Sequence, residues 1–160
     1  MLLYLLRHGI AGPVAPGRDD AARTLTPEGV RLLKQQARAF KQAGFRVDRL
    51  VCSPLVRARQ TAALVAPAWG VEPEEDALLR PGCSLEDVAE VWERHGRPDR
   101  VLLVGHQPDM GVLVRALTGS NARMRTGMMA VIETPVLRPT RGILIGLYDP
   151  EVTAHLAPHS

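Results

Sequence analysis

Three segments of the chain place arginine or histidine directly after an apolar run. They are residues 7–9 after the run 2–6, residues 53–57 after 49–52, and residues 105–107 after 100–104. These segments contain Arg7, His8, Arg57 and His106. Each guanidinium can form a charge-assisted fork to phosphate oxygens, and a neutral imidazole can attack phosphorus to give a phosphorylated intermediate. If the segments meet, we expect a phosphoryl site in which arginine, rather than a metal ion, neutralises the developing charge.

Apolar runs typical of buried strands alternate with helical patterns along the chain. The expected strands cover residues 2–6, 49–52, 100–105, 129–133 and 142–148. The expected helices cover about residues 27–44, 53–66 and 84–95 and the stretch containing Met110, Leu113, Val114 and Leu117. This alternation predicts an α/β fold, a three-layer α/β/α sandwich with a mainly parallel sheet. Because ligands bind beyond the carboxyl ends of parallel strands, the three polar segments should converge at one edge.

Local signals set the expected ends of the helices. Thr26-Pro27-Glu28 provides an N-cap, a proline at the first helical position and an acid in the first turn. Ser53-Pro54 shows the same cap-then-proline pattern, and Ser84 with Asp87 is typical of a capping box. We therefore expect helices to begin at these three places.

The remaining segments carry weaker signals. Residues 10–24 are expected to form a loop, and residues 71–79 to hold at most a short strand at their start. After residue 148 we expect a short polar tail with His155 and His159 solvated. Gly9 and Gly105 lack a Cβ, which we expect to let substrate approach the backbone beside each histidine.

The motifs resemble those of the histidine phosphatase superfamily, which has the phosphoglycerate-mutase-like fold. The family signature R-H-G follows the first strand, as residues 7–9 do here. Residues 53–62, SPLVRARQTA, are similar to the family segment S-P-x-x-R-A-x-Q-T-A. Residues 25–29 are similar to its L-T-x-x-G helix start, and residues 105–106 to its second histidine. Each motif is weak alone, but their shared order over residues 2–118 is specific.

The resemblance implies a catalytic role for four residues. His8 would be the phosphorylated nucleophile, and His106 would contact the phosphoryl group and stabilise the transition state. Arg7 and Arg57 would hold that group, with Arg23 as a further phosphate contact. No metal ion or other cofactor is expected.

Two features favour the small SixA-like phosphohistidine phosphatases within this family. The chain lacks the long insertions with which larger relatives cover small substrates, so a protein side chain should reach the site. Where many relatives carry a general acid in an L-x-E segment, this chain has Leu79-Arg80-Pro81. A leaving imidazole needs less protonation than an alkoxide, so a missing acid favours a P–N substrate. The candidates for a displaced acid are Glu74, Glu75, Asp76, Asp19 and Asp20.

Composition bounds the other functions. The 160 residues suit one domain, 1–160, with its own hydrophobic core. The formal net charge is +3 and only 4% of residues are aromatic, so stacking platforms for nucleic acid are scarce. No apolar stretch approaches the ~20 residues of a membrane helix. With Cys52 and Cys83 as free thiols, we expect a cytoplasmic protein that binds neither nucleic acid nor membrane. The oligomeric state is not specified.

Two other functions stay open, and they differ in substrate or in turnover. The partner could be a phosphohistidine-bearing protein or a small phosphate ester, so a phosphatase for small phosphomonoesters is the first alternative. The second is a phospho-ligand binding module without turnover.

Several residues have a plainer explanation than catalysis. Arg94-His95-Gly96 repeats the R-H-G tripeptide, but it follows a helical pattern in which Gly96 is expected as a C-cap. Arg59 is expected to be solvated. Ser53 is expected to act as an N-cap, since no G-x-S-x-G elbow surrounds it. Position after a buried strand, rather than the tripeptide, therefore singles out His8.

Overall fold

A six-stranded sheet organises residues 1–157, which the computed structural model describes. Its strands are β1 (Leu2–Arg7), β2 (Arg49–Cys52), β3 (Pro73–Glu75), β4 (Arg100–Gly105), β5 (Met129–Glu133) and β6 (Ile143–Tyr148). Their order across the sheet is β3-β2-β4-β1-β5-β6. The first four strands in this order are parallel, and β5 runs antiparallel to both of its neighbours. The expected mainly parallel sheet is confirmed.

The register of the parallel strands aligns the three polar segments. Arg7 at the end of β1 lies beside Gly105 at the end of β4. Cys52 at the end of β2 lies beside Val104 of β4. The residues that follow these strands therefore emerge at the same edge of the sheet, as the rule for parallel sheets requires.

Helices cover both faces of the sheet. They are α1 (Pro27–Gln42), α2 (Val56–Val65), α3 (Leu85–Arg94), α4 (Asp109–Thr118) and α5 (Pro150–Leu156). One buried apolar cluster joins the sheet to α3 and α4 through residues such as Val88 and Leu113. The other joins the opposite face to α1 and α2 through residues such as Leu33 and Ala62. The three-layer α/β/α arrangement is thus confirmed, and Met110, Leu113, Val114 and Leu117 are core residues.

Two of the three expected helix starts are confirmed. The Thr26 side chain accepts a hydrogen bond from the Gly29 amide at the start of α1. Ser84 and Asp87 form a reciprocal capping box at the start of α3. The third start is wrong, because α2 begins at Val56 and Ser53 makes no cap. A short strand in the 71–79 region is present, but it lies at Pro73–Glu75 and Ala77–Leu79 form a 3₁₀ turn.

The expected polar tail is also wrong, since residues 150–156 form α5. The Asp149 side chain accepts hydrogen bonds from the amides of Glu151 and Val152, and Pro150 occupies the first turn. Asp-Pro is a cap-then-proline signal that could have identified this helix. His155 is exposed on it, as expected, and His159 lies outside the described residues.

The two cysteines are free and buried, and burial raises the pKa of each thiol to about 12. Both therefore remain protonated at neutral pH and behave as small apolar side chains. In residues 1–157, no helix combines the length and apolar character needed to cross a bilayer.

Glycines near the site serve packing rather than substrate access, contrary to expectation. A Cβ on Gly9 would lie 2.7 Å from Leu33 Cδ1, and one on Gly105 would lie 2.7 Å from Met110 Cε. Gly29, the glycine of the L-T-x-x-G start, comes closest to backbone, because a Cβ there would lie 2.5 Å from the Ile10 carbonyl oxygen. That oxygen already accepts a hydrogen bond from the Thr26 amide. Gly29 thus lets α1 dock directly against the segment that follows His8.

We predict that Gly29→Ala destabilises the protein even though alanine is the better helix former. The new methyl group meets a backbone oxygen that cannot rotate away, so the free energy of unfolding should fall by about 1–3 kcal/mol, as in overpacked cores. Urea denaturation would measure it. Arg31→Ala on the exposed face of α1 is the control and should change stability by less than about 0.5 kcal/mol. A Gly29→Ala protein of unchanged or higher stability would contradict this account.

Candidate active site

A cavity of about 340 Å³ opens at the carboxyl edge of the parallel strands. Its lining residues are Arg7, His8, Ile10, Ala11, Asp20, Arg23, Arg57, Pro81, His106, Gln107 and Thr126. All five predicted site residues are in this set, although they come from two strand ends, a loop and a helix. The structure therefore brings together the groups that the sequence placed far apart.

His8 is buried and held in one tautomer by two contacts. Its Nδ1 lies 2.8 Å from the Gly9 carbonyl oxygen, which can only accept, so Nδ1 carries the proton. Its Nε2 lies 3.2 Å from Arg57 Nε, which can only donate, so Nε2 presents a lone pair. The atom that carries the lone pair thus sits against a guanidinium in the cavity wall.

The surroundings of His8 keep its imidazole neutral. Burial is the main cause that lowers the pKa of His8, to about 3, and the charges of Arg57 and Arg7 act in the same direction. The hydrogen bond to the Gly9 carbonyl opposes the shift only in part. At neutral pH the lone pair on Nε2 is therefore available for attack.

Backbone contacts fix the position of the His8 ring. The His8 amide donates to the Gly105 carbonyl at 3.1 Å, which extends the pairing of β1 with β4. The Gly9 amide donates to Thr61 Oγ1 at 3.0 Å, and Thr61 Oγ1 donates to the Arg57 carbonyl at 2.7 Å. Thr61 was not singled out from the sequence, although it lies in the 53–62 segment. It ties the His8 loop to α2, which carries Arg57.

His106 faces His8 with 5.4 Å between the ring centroids. Its Nε2 lies 2.7 Å from Ser53 Oγ, which also accepts a hydrogen bond from the Leu55 amide at 3.3 Å. A hydroxyl can donate or accept, and where Ser53 directs its hydrogen to Nε2 the proton of His106 lies on Nδ1. That nitrogen is buried and has no partner within residues 1–157. It is a donor that an anion in the cavity can satisfy.

Ser53 is therefore a positioning residue that the sequence interpretation missed. Burial lowers the pKa of His106 to about 4, assisted by Arg57, so this ring is also neutral. Its role as hydrogen-bond donor then depends on the tautomer, which Ser53 selects. Ser53 is fully buried and used for this contact, which explains why it does not cap α2.

Arginines give the cavity a strong positive potential. Arg7 Nη1 donates to the Met124 carbonyl at 3.0 Å, while Arg7 Nε is buried with no partner in the described chain. Burial, followed by the charges of Arg57 and Arg23, lowers the pKa of Arg7. Mutual repulsion of this kind favours a bound anion, and a phosphoryl dianion would relieve it.

Arg23 lies at the rim of the cavity in the loop that was expected over residues 10–24. Its Nε donates to the Gly12 carbonyl at 2.8 Å, and its Nη1 lies 3.2 Å from Asp20 Oδ1. Asp20 belongs to a short 3₁₀ turn, Asp20–Ala22, within that loop. Arg23 can reach an anion in the cavity, but here it is paired with Asp20.

Asp20 also contacts Arg57, which is the central cation of the site. Arg57 Nη2 lies 3.0 Å from Asp20 Oδ2, and Arg57 Nη1 donates to the Asp20 carbonyl at 2.9 Å. The hydrogen bond from Arg23, then the charge of Arg57, lowers the pKa of the Asp20 carboxyl. The cavity of the free protein thus already contains one negative group.

The other candidate acids lie outside the cavity. Glu74 and Asp76 bind the two ring nitrogens of His95 at 3.0 and 3.1 Å, and Glu75 pairs with the exposed Arg59. His95 therefore lies in a separate cluster, as its position after a helix predicted. The Leu79-Arg80-Pro81 segment contributes Pro81, and no carboxyl, to the cavity wall.

Metal ligands are not grouped in this region. Across residues 1–157, no group of three or more histidine, cysteine, aspartate or glutamate side chains is arranged so that it could hold a metal ion. The positive charges that line the cavity would also repel a cation. That the reaction needs no metal remains a prediction.

Known proteins share both the sequence pattern and the fold. The family model "Histidine phosphatase superfamily (branch 1)" matches residues 3–81. An uncharacterized protein of Picosynechococcus sp. is 40% identical over 120 residues, covering 73% of each chain. A phosphohistidine phosphatase SixA homolog of Haemophilus influenzae is 32% identical over 131 residues, covering 74% of this chain and 78% of the homolog. The structure of the protein histidine phosphatase SixA complexed with tungstate superposes with a TM-score of 0.82, at 23% identity, over 95% of this chain and 99% of that one.

We predict that the His8 ring stays neutral, with its proton on Nδ1, from about pH 8 down to about pH 5. A lowered pKa means that the folded protein binds the proton only as the pH falls toward about 3. Nitrogen-15 NMR of labelled imidazoles would report both the charge and the tautomer. His155, which is exposed on α5, provides a reference signal in the same spectra. Detection of imidazolium at His8 near about pH 6.5 would refute the assignment.

We predict that Ser53→Ala releases the tautomer of His106. The variant leaves a buried ring nitrogen without its partner, which costs about 1–3 kcal/mol of stability. In the nitrogen-15 spectrum, His106 should change from one tautomer to a mixture while His8 keeps its own. Ser120→Ala, which removes no hydrogen bond made by the hydroxyl, is the control. An unchanged His106 spectrum in Ser53→Ala would show that Ser53 does not set the tautomer.

Proposed function

The chain belongs to the histidine phosphatase superfamily, and from that premise we propose that it hydrolyses phosphohistidine on a signalling or phosphotransfer protein. The reaction proceeds in two steps through a phosphohistidine at His8. The catalytic residues of this proposal are His8, His106, Arg7 and Arg57, with Arg23 as an additional phosphate contact. Residues 1–160 form the single domain that carries the activity, in the cytoplasm and without a metal ion or cofactor.

One observation carries the proposed mechanism: the neutral tautomer of His8, whose Nε2 presents its lone pair in a cavity lined by arginine. The proton on Nδ1 is fixed by the Gly9 carbonyl at 2.8 Å. Attack by Nε2 on phosphorus then leaves a phosphorylated imidazolium whose charge is offset by the phosphoryl oxygens. A histidine with the opposite tautomer would present an N–H to the substrate and could not attack.

The surrounding donors suit the transition state of this attack. Arg57 shifts its hydrogen bond from Nε2 to a phosphoryl oxygen once Nε2 binds phosphorus. The unpartnered Arg7 Nε and His106 Nδ1 supply further donors that are buried and need no reorganisation. Donors fixed in this way stabilise the charge on the equatorial oxygens more strongly than water does.

The substrate class follows from the cavity rim. Pro81 stands in the Leu79-Arg80-Pro81 segment, where a family general acid would be expected, and it has no proton to give. The imidazole of phosphohistidine leaves as a neutral ring once its other nitrogen has taken a proton from water, which a ring nitrogen does readily near neutral pH. It therefore needs less help than an alkoxide. Similarity to a phosphohistidine phosphatase SixA homolog supports the same substrate class.

A phosphatase for small phosphomonoesters is the second candidate, and one observation favours it. Asp20 places a carboxyl group in the cavity, which could protonate an alkoxide. The binding-module alternative requires a site without turnover, and the availability of the His8 lone pair counts against it.

We predict that the protein releases phosphate from a phosphohistidine peptide at least about 10-fold faster, in kcat/KM, than from serine or sugar phosphates. The physical reason is the weaker demand of a P–N bond for a general acid. Side-by-side phosphate release at one pH measures the ratio. A ratio that favours the esters would replace the proposed substrate with the small phosphomonoesters, and no release from any substrate would leave a binding module.

The second R-H-G tripeptide provides a matched control for the nucleophile. His8→Ala should lose at least about 10³-fold in turnover and form no acid-labile phosphoenzyme. His95→Gln changes the corresponding histidine outside the cavity and should retain both. Full turnover by His8→Ala would rule out the two-step mechanism.

A further inference from the structure

We propose that Asp20 is a catalytic residue that donates a proton to the leaving group of phosphate esters and recovers one from the attacking water. This proposal rests on the two-step reaction at His8. It adds a proton-transfer group to the site, which would otherwise be limited to substrates that leave without help.

Asp20 is the one carboxyl-bearing residue among those that line the cavity in the described part of the chain. The acids nearest the L-x-E position are engaged elsewhere, with Glu74 and Asp76 on His95 and Glu75 on Arg59. Asp19, the neighbour of Asp20, caps the 3₁₀ turn through the Ala22 amide. Among the candidate acids, Asp20 alone lines the cavity and contacts Arg57.

The contacts of Arg57 show how Asp20 would come free. Three of the five N–H donors of the guanidinium are already used: Nε on His8, Nη1 on the Asp20 backbone carbonyl and Nη2 on the Asp20 carboxylate. A phosphoryl group that binds Nη2 competes with the Asp20 carboxylate for this contact. Displacement would separate Asp20 from one of the two arginines that keep it ionised and leave the contact with Arg23.

The displaced carboxylate would then lie beside a phosphoryl dianion. A neighbouring negative charge favours the protonated form of a carboxyl group, as in paired carboxylates. The Asp20 side chain is 58% exposed and can take a proton from solvent. Binding of the substrate thus converts Asp20 from a counter-ion of arginine into an acid.

The position of Asp20 relative to His8 fits the leaving-group side of the reaction. His8 is 5% exposed at the floor of the cavity, whereas Asp20 lies at the open rim. In-line attack requires the leaving group to depart on the side of phosphorus away from Nε2. That direction points out of the cavity, where Asp20 stands.

The two steps balance in atoms and protons. In the first, a bond forms between His8 Nε2 and phosphorus, the ester P–O bond breaks, and the leaving oxygen takes the proton of Asp20. In the second, a water oxygen bonds to phosphorus while the Asp20 carboxylate takes its proton. The P–N bond breaks, and its electron pair returns to Nε2. Asp20 and His8 are restored together.

The test compares leaving groups of different basicity in Asp20→Asn. For an alkyl phosphate the leaving oxygen needs a proton, and kcat/KM, which reports the steps up to release of the leaving group, should fall by about 10²-fold or more. For 2,4-dinitrophenyl phosphate the phenolate leaves unaided, and kcat/KM should stay within about 3-fold. Asp19→Asn is the matched control, because asparagine also caps helices, and it should match the wild type on both substrates.

Two further measurements keep the test decisive. Competitive inhibition by inorganic phosphate should strengthen in Asp20→Asn, because a competing negative charge has been removed, and this confirms an intact site. In Asp20→Ala, added formate should restore part of kcat/KM for the alkyl phosphate and leave kcat/KM for the activated ester unchanged. Equal losses on both esters, no loss on either, or the absence of rescue would each overturn the proposal.

These outcomes separate this proposal from the underlying mechanism. If the wild type forms a phosphoenzyme at His8 and Asp20→Asn shows no leaving-group dependence, the assignment of Asp20 fails while the two-step reaction stands. If the wild type forms no phosphoenzyme, the two-step reaction itself fails.

Discussion

The contact between the Arg57 guanidinium and the neutral His8 imidazole, 3.2 Å apart, is the interaction on which the site depends. Arg57 is almost fully buried, and a buried cation is costly unless other groups compensate it. Here the compensation comes from a ring nitrogen, a backbone carbonyl and the carboxylate of Asp20. Each of these partners can be exchanged for a phosphoryl oxygen. The site is therefore stable when free and is still able to bind a dianion.

The same electrostatic arrangement sets the protonation of both histidines. Burial and nearby arginines disfavour imidazolium, so His8 and His106 are neutral without a carboxylate partner on either ring. Neutral rings have distinct nitrogens, and their roles then depend on which one carries the proton. The Gly9 carbonyl, which can only accept, settles this for His8, and we expect the Ser53 hydroxyl to set it for His106 by donating to Nε2. His8 thereby presents a lone pair to the cavity and His106 presents an N–H donor, although both are neutral histidines beside the same arginines.

The sequence was sufficient for the parts that depend on pattern and topology. Buried strands, two helix caps and the convergence of the polar segments follow from hydrophobic periodicity and the rule for parallel sheets. Ser53 shows where local patterns no longer predict the structure, because Ser53-Pro54 has the same pattern as Thr26-Pro27. Only the tertiary contact with His106 makes it a positioning residue instead of a cap. The packing roles of Gly9 and Gly105 could not be predicted for the same reason. No sequence pattern indicates that Gly9 contacts Leu33 or that Gly105 contacts Met110.

Asp20 shows a different limit of prediction from sequence, because a general acid cannot be identified from a motif position alone. The family segment L-x-E suggests that a missing glutamate leaves the site without a proton donor, yet a loop residue enters the same cavity from another direction. The chemistry of such a site depends on which side chains reach the phosphoryl position, and different loops can place a carboxyl group there. The loop of residues 10–24 is fastened near its ends, where Gly29 of α1 packs on Ile10 and the Gly12 amide donates to the Thr24 carbonyl. In the proposed reaction this loop supplies the proton-transfer group, while the strand ends supply the nucleophile.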